Sequence, residues 1–478
     1  MQKIKSKAQF PKTQTGISGL DEITEGGIPK GRPTLVCGNA GCGKTLLAMQ
    51  FLVKGILDHR EKGVFMSFEE TANDLSQNVS SLGFDLNKLV AQKKLRIDHV
   101  RIERSEIEET GEYDLEGLFV RLNYAIDSIG AKRVVLDTIE SLFGGLENTA
   151  ILRSELRRLF QWLKEKGVTT IITGERGEKS LTRQGLEEYV SDCVILLDFR
   201  VIDQIGTRRL RIVKYRGSTH GTNEYPFLIN ETGISVLPIT SLRLEHKTST
   251  EIVSTGLPAL DKLFGRGGYY RGTSTLVTGS AGTAKTILAA YFALSSCKRK
   301  EKALYFSFEE SPAQFMRNMQ SVGIKLAPYM KSKLLHIQAS RPTLQGLEMH
   351  LLVLHKLIEE INPRTVIIDP VSSLITVGSA SEVRAMLVRL IDMLKDRGIS
   401  ALFTSLTHES RDNEGDYTED AISSLADTWI RVSNDDSGKS RVRSLVVVKS
   451  RGMAHSNQVS TFTITNKGIV ILDEGGEK

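Results

Sequence analysis

Cysteine is scarce in this chain. Four occur in 478 residues, Cys37, Cys42, Cys193 and Cys297, and no two form a C-x-x-C pair. That spacing excludes a zinc framework and a disulfide scaffold, and it suits a reducing compartment. Long apolar runs are missing as well: nothing approaches the roughly 18 apolar residues of a membrane helix. The opening stretch, Met1-Gln-Lys-Ile-Lys-Ser-Lys-Ala-Gln-Phe10, has no apolar signal core. Charge of one sign is barely in excess, with 63 Lys plus Arg against 57 Asp plus Glu, a net +6. That bias falls well short of a nucleic-acid footprint. These absences lead us to expect a cytoplasmic protein with no membrane and no nucleic-acid partner. Hydrophobic content of 40% and charged content of 25% are ordinary for globular chains, and the length suggests roughly two to four domains.

What is present centres on Gly38-Asn-Ala-Gly-Cys-Gly-Lys44-Thr45, which reads G-x-x-x-x-G-K-T. An apolar run, Pro33-Thr-Leu-Val-Cys37, precedes it, and another, Leu46-Leu-Ala-Met-Gln-Phe-Leu-Val53, follows. Strand, glycine loop and helix in that order form the phosphate loop of nucleotide hydrolases. Its glycines let backbone N–H groups curl around an anion, and the helix N-terminus adds attraction for phosphate. Lys44 is placed to reach the β- and γ-phosphates, and the Thr45 hydroxyl to bind Mg²⁺.

The loop has a copy. Gly279-Ser-Ala-Gly-Thr-Ala284-Lys285-Thr286 repeats it, a step of 241 residues from Lys44 to Lys285. Five further motifs recur in the same order. Thr15-Gly-Ile-Ser-Gly-Leu-Asp21 returns as Thr255-Gly-Leu-Pro-Ala-Leu-Asp261, and Val64-Phe-Met-Ser-Phe-Glu69-Glu70 as Leu304-Tyr-Phe-Ser-Phe-Glu309-Glu310. Ser81-Leu-Gly-Phe-Asp85 is echoed at 321–325, and Arg133-Val-Val-Leu-Asp137 by Thr365-Val-Ile-Ile-Asp369. Lys214-Tyr-Arg216-Gly-Ser-Thr-His220 is echoed by Lys449-Ser-Arg451-Gly-Met-Ala-His455. The period is too long for a solenoid, so a large domain is duplicated in tandem. We expect domains at 1–242 and 243–478, joined by a polar linker within 238–251.

Each half alternates β-rich runs with helical patterns. In the first, 34–37, 64–67, 95–99, 133–137, 168–173 and 193–198 read as strands, with helices at 114–128 and 150–166. This is the α/β class, a mainly parallel sheet flanked by helices. The closing runs 208–215 then 226–237, and 441–449 then 459–472, read as antiparallel appendages.

Phosphoryl transfer needs a phosphate cradle, a metal, a positioned nucleophile and added positive charge. Asp137 and Asp369 each end a buried apolar run, which suits a carboxylate on the metal side; a turn cap is the plainer reading. Glu69-Glu70 follows a strand, where a carboxylate can polarise water or accept a hydroxyl proton. For a lone pair an acidic helix start would be the favoured reading, but its return as Glu309-Glu310 reverses that in favour of the chemical role. Lys214, Arg216 and His220 are far in sequence from the loop. They could reach a neighbour's phosphates if subunits pack in a ring. In the second loop Ala284 replaces Gly43. Its methyl is expected to weaken nucleotide binding or slow hydrolysis there, with Lys285 and Thr286 still binding.

These motifs, with Thr173-Gly-Glu-Arg176 and Asn223-Glu-Tyr-Pro-Phe227, resemble the KaiC family over nearly the whole chain. The resemblance implies duplicated RecA-like ATPase domains in a homohexamer, with ATP between neighbouring subunits of two stacked rings. It implies a slow ATPase in the first ring and autophosphorylation on adjacent hydroxyls in the second. Those hydroxyls map to Ser423 and Ser424, which without the family would read as an ordinary helix start; a third family hydroxyl is replaced by Ala426. Nucleotide contacts are implied at Gly38, Gly41, Cys42, Gly43, Lys44, Thr45, Leu46, Ser81, Lys214, Tyr215, Arg216, Ser218 and His220. In the second half they fall at Gly279, Gly282, Thr283, Ala284, Lys285, Thr286, Ile287, Lys449, Ser450 and Arg451. Metal contacts are implied at Thr45, Asp137, Thr286 and Asp369. Glu69, Glu70, Glu309, Glu310, Arg216 and Arg451 are the expected catalytic groups. The family leaves room for a KaiB-like protein partner. Only eight residues follow Val470, which argues against a tail of the kind KaiA binds. Two rivals stay open: a RecA-like DNA-dependent ATPase, and a scaffold that uses ATP only to assemble.

Overall fold

The run Pro33-Thr-Leu-Val-Cys-Gly38 is buried at every position and forms strand β1. A strand covered on both faces reads as an unbroken apolar run, because neither face needs polar side chains. The computed structural model describes residues 10–100, 115–142, 149–177, 181–182, 191–202, 205–238, 248–407, 423–435 and 442–472. The chain divides into two compact units, Met1–Ser241 and Leu242–Lys478.

In the first unit β1 is followed by helix α1 (Lys44–His59), β2 (Gly63–Ser67), α2 (Ala72–Ser80) and β3 (Leu95–His99). Then come α3 (Glu116–Ile129), β4 (Arg133–Asp137), α4 (Thr149–Lys166), β5 (Thr169–Glu175) and β6 (Cys193–Ile202). Strands β7 (Ile205–Tyr215), β8 (Glu224–Asn230) and β9 (Gly233–Val236) close the unit. The nine strands lie in the order β9-β8-β7-β6-β1-β5-β4-β2-β3. From β6 to β3 all pairs are parallel, and β7, β8 and β9 add antiparallel strands. Parallel strands bring the loops after β1, β2, β4 and β5 to one carboxyl edge, where ligands of open α/β sheets bind.

Alternate residues of each strand feed two cores. Val36, Phe65 and Val135 pack with Leu47 and Phe51 of α1. Leu35, Val64, Met66 and Leu136 pack with Leu122 of α3 and Leu159 of α4. Each such large side chain contributes about 1.5–3 kcal/mol when fully buried. Helix α2 starts from a capping box, in which Thr71 and Asp74 exchange side-chain and backbone hydrogen bonds.

The second unit repeats the plan. It contains β10 (Ser274–Gly279), α5 (Lys285–Lys298), β11 (Ala303–Ser307), α6 (Pro312–Ser321) and β12 (Leu335–Ala339). These lead to α7 (Leu347–Ile361), β13 (Thr365–Asp369), α8 (Ala380–Asp396) and β14 (Ser400–Leu406). Strands β15 (Thr428–Asp435), β16 (Val442–Ser450), β17 (Ser460–Thr465) and β18 (Gly468–Leu472) follow. The order β12-β11-β13-β14-β10-β15-β16-β17-β18 is that of the first sheet.

The second closing run of each half, 226–237 and 459–472, expected as one strand, is two. Between β8 and β9 the chain turns at Glu231-Thr232, where Asn230 Oδ1 accepts from Thr232 N at 2.9 Å and Gly233 sits at φ 99°. This is an Asx turn, which asparagine and a left-handed glycine favour. Gly468, at φ 111°, reverses the chain between β17 and β18. Within the expected linker, residues 239–247 lie outside the described residues, as does Asp114 at the start of the helix expected over 114–128.

Candidate functional site

Helix α1 leaves β1 through Gly43, whose φ of 104° and ψ of 21° place it in the left-handed region. Lys44 is buried, and its Nζ donates to Gly38 O at 2.9 Å and Asn39 O at 3.0 Å. An ammonium held only by loop carbonyls can trade them for phosphate oxygens. The second loop repeats this, with Lys285 Nζ donating to Gly279 O at 2.8 Å and Ser280 O at 2.7 Å. Burial pushes the Lys285 ammonium down to about 8, against the pull of the Asp369 and Glu309 charges. A cleft of about 320 Å³ lies against this loop, lined by residues 281–287 with Glu309, Asp369, Pro370, Leu406 and Ile464.

Ala284 keeps the left-handed backbone, at φ 80° and ψ 19°. A Cβ built at Gly43 meets Ile229 Cδ1 at 3.0 Å, and Ala284 lies in the α5 core cluster against which Ile464 packs. The methyl faces apolar side chains, so the cost of alanine is backbone strain.

The carboxylates meet the loops at the sheet edge. Asp137 Oδ2 accepts from Thr45 Oγ1 at 3.0 Å, and its Oδ1 accepts a short hydrogen bond from Thr173. Burial raises the Asp137 carboxyl above its ordinary range; those two hydrogen bonds oppose the shift, and Glu69 and Glu70 add to it. Thr45 and Asp137 are an oxygen pair of the kind that holds a hard cation. Asp369 is bound differently: Thr404 donates to Oδ1, and buried Tyr305 donates to Oδ2 at 2.5 Å. Among the described residues no hydrogen bond joins Thr286 to Asp369. No cluster of three or more His, Cys, Asp and Glu that could hold a metal occurs among them either.

The paired glutamates split. Glu69 Oε1 turns to the end of β4, accepting from Thr138 Oγ1 at 2.9 Å and Ser141 Oγ at 2.7 Å. Glu70 Oε2 instead takes Asn78 of α2, at 3.4 Å. In the second half Glu309 Oε1 accepts from Ser373 Oγ at 3.0 Å, and Glu310 Oε1 from Asn318 Nδ2 at 2.8 Å. The first glutamate of each pair therefore faces the Asp137 or Asp369 edge.

Lys214, Arg216, Lys449 and Arg451 lie elsewhere. Gly38 pairs across to Leu197 in the middle of β6, but Lys214 pairs to Val194 near that strand's amino end. These cations sit at the amino edge, opposite the phosphate loop of their own domain. Half-exposed Arg216 pairs with buried Asp192 at 3.6 Å, which Lys164 also holds at 2.8 Å. In the second half Lys395 holds Asp427 at 2.8 Å. Lys449 Nζ donates to Ser423 O at 2.6 Å, and Arg451 Nη2 to Ser424 O at 2.7 Å. Ser423 is buried and Ser424 exposed. Ser450 Oγ lies 3.2 Å from Thr428 Oγ1. Tyr215 turns inward, its OH donating to Gly27 O at 2.8 Å, and His220 stacks on its ring. Ser218 bonds Thr219 O beside them, and Ser81 is the exposed C-cap of α2. Leu46 and Ile287 follow the loop threonines on α1 and α5, half-buried.

Sequence reasoning missed three groups. Thr138 and Ser141 follow β4 as ordinary small residues, and only the fold brings them to Glu69. Arg443 of β16 donates from Nε to Gly282 O at 3.2 Å, putting a cation beside the second loop from the same chain. It is one arginine in an ordinary β run, Val442-Arg-Ser-Leu-Val-Val-Val-Lys-Ser450, with no motif around it to mark it in sequence.

Two phosphate loops on the carboxyl edges of two mainly parallel sheets define a tandem RecA-like ATPase. A family model for the KaiC ATPase matches residues 13–241 and again 253–476. The chain is 56% identical to the circadian clock protein KaiC2 of Synechocystis sp., over 97% of this chain and 81% of that protein. It is 38% identical to the circadian clock oscillator protein KaiC of Synechococcus elongatus, over 97% and 89% respectively. The chain belongs to the KaiC family of ATPases. No helix among the described residues is long and apolar enough to cross a membrane.

Proposed function

We propose that this chain assembles as a ring of six copies, with ATP and Mg²⁺ between neighbours. In this reading the first half hydrolyses ATP and the second transfers phosphate to Ser423 or Ser424 of a neighbouring copy. The observation that carries it is the placing of Lys214, Arg216, Lys449 and Arg451 at the edge opposite their own domain's loop. Cations there serve a triphosphate only if it belongs to another copy, the logic of an arginine finger supplied in trans.

Thr45 with Asp137, and Thr286 with Asp369, would hold Mg²⁺, which when bound neutralises charge on the phosphates. Lys44 and Lys285 hold the β- and γ-phosphates. In the first half Glu69, fixed by Thr138 and Ser141, orients the attacking water. In the second, a serine hydroxyl oxygen from the adjacent copy attacks the γ-phosphorus. The bond from that phosphorus to the β–γ bridging oxygen breaks, ADP leaves, and the hydroxyl proton passes to Glu309. Exposed Ser424 is the first acceptor and buried Ser423 the second.

Sizing with and without Mg·ATP, followed by phosphopeptide mapping, tests both parts. We expect a particle of six chains with nucleotide and phosphate on Ser424. A monomer with full turnover refutes the ring, and unmodified Ser423 and Ser424 refute the kinase reading.

A further inference from the structure

Tyr305 is a buried hydroxyl that the proposed mechanism leaves unused. It stands in β11, and the register of the repeat places Phe65 at the same point of β2. Both rings lie on the face covered by the phosphate-loop helix: Phe65 in the cluster with Leu47 and Ala48, Tyr305 with Leu288 and Ala289. Phe315 packs on the Tyr305 ring, with centroids 4.4 Å apart. The two positions therefore differ by one oxygen atom, and that atom donates to Asp369 Oδ2 at 2.5 Å.

The matching oxygen of Asp137 accepts instead from Thr45, the hydroxyl beside the loop lysine. In both halves a threonine of the neighbouring strand, Thr173 or Thr404, holds the other carboxylate oxygen. We infer that Tyr305 is a positioning residue that withdraws Asp369 from the metal position, so the second site holds a divalent cation more weakly than the first. This rests on the reading of Thr286 and Asp369 as the Mg²⁺ side of the second pocket.

The chemistry sets the sign. A hydroxyl proton aimed at a carboxylate oxygen occupies a lone pair and offsets part of its charge. In the first half that lone pair takes the Thr45 proton and leaves the Thr45 oxygen lone pairs for a cation. In the second half Tyr305 occupies it, and Thr286 receives no such orientation. Loss of an outer partner ordinarily weakens a metal site because the ligand loses its orientation. Here Thr404 still orients Asp369 after the tyrosine hydroxyl is removed, so the returned lone pair decides the outcome.

The test is a Mn²⁺ titration of the full chain saturated with a non-hydrolysable ATP analogue, free Mn²⁺ being read by electron paramagnetic resonance. Wild type, Tyr305→Phe and Phe65→Tyr are compared. Tyr305→Phe is expected to tighten one class of site about three- to tenfold, below the usual outer-shell range of about 10–100-fold because Thr404 remains. Phe65→Tyr is expected to weaken the other class by a similar factor. A merely structural tyrosine would loosen its own site when truncated, so tightening separates the two roles. The inference needs both shifts, and either one missing or reversed overturns it. Wild-type chain with no nucleotide-dependent Mn²⁺ binding would overturn the metal reading itself, and the inference with it.

Discussion

At the first phosphate loop the residue before the lysine is Gly43 at φ 104°, and at the second it is Ala284 at φ 80°. The carboxylate below the first loop answers to Thr45, and the one below the second to Tyr305. Glu69 is held by two hydroxyls, whereas Glu309 accepts from the Ser373 hydroxyl at 3.0 Å. Duplication kept the frame, which depends on buried apolar strands, and let the polar atoms around it diverge. Differences of one oxygen or one methyl are small enough for a packed core to absorb, yet they sit where charge develops during phosphoryl transfer. The comparison teaches that one scaffold carries two differently equipped phosphate-loop sites.

The largest effect expected from breaking this comparison is at the paired glutamates. Glu69→Gln with Glu70→Gln should lower ATP turnover by about 10²–10⁴, the range of general-base loss, and leave phosphate incorporation at Ser424. Glu309→Gln with Glu310→Gln should do the reverse. Steady-state phosphate release beside phosphopeptide mass spectrometry reads both. Equal loss of both activities in either double variant would contradict the division of labour.

Next in size is a pH effect specific to the second loop. The Lys285 ammonium titrates at about 8 because burial disfavours its charge. Below that value it is protonated with or without nucleotide, so affinity should be flat. Above it the free site is neutral, and binding triphosphate must take up a proton. Affinity at the second site should then fall by up to about tenfold per pH unit. Stability runs the other way. The unfolded lysine keeps its ordinary value of 10.5, so between about 8 and 10.5 the unfolded state holds more protons and the folded state gains as pH rises. Calorimetry in buffers of different ionisation heat should show proton uptake on nucleotide binding at pH 9. An affinity that rises through this window would contradict the assignment.

Much of this was open to sequence reasoning. Asp137 and Glu69 stand out because each closes or follows an apolar run, Lys44 and Thr45 because they close a glycine loop before one, and the repeat gives every one of them a partner. What escaped is what depends on side-chain direction. Tyr305 reads as one more apolar residue of a buried strand until its hydroxyl is seen to reach Asp369. Thr138 and Ser141 are unremarkable until Glu69 is seen to turn toward them rather than follow Glu70 to Asn78. The split of 226–237 needed the Asn230 turn, a local hydrogen bond weighed against a continuous β pattern.

The smallest expected effect is that of Ala284→Gly, and its size follows from three opposing terms. Relief of a left-handed alanine is worth about 1–2 kcal/mol. The freer unfolded chain of glycine returns about 0.4–1 kcal/mol. Removing a methyl that is only 9% exposed returns about 0.8 kcal/mol more. The sum lies within about 0.8 kcal/mol of zero, so the midpoint of urea unfolding of the second unit should hardly move. Nucleotide affinity should hold as well, because Lys285 and Thr286 remain and the methyl packs in an apolar cluster with Ile464 against it. A gain in nucleotide affinity of about tenfold or more, worth about 1.4 kcal/mol, would show that the methyl does obstruct the phosphate. It would also make the alanine, rather than Tyr305, the chief difference between the two loops.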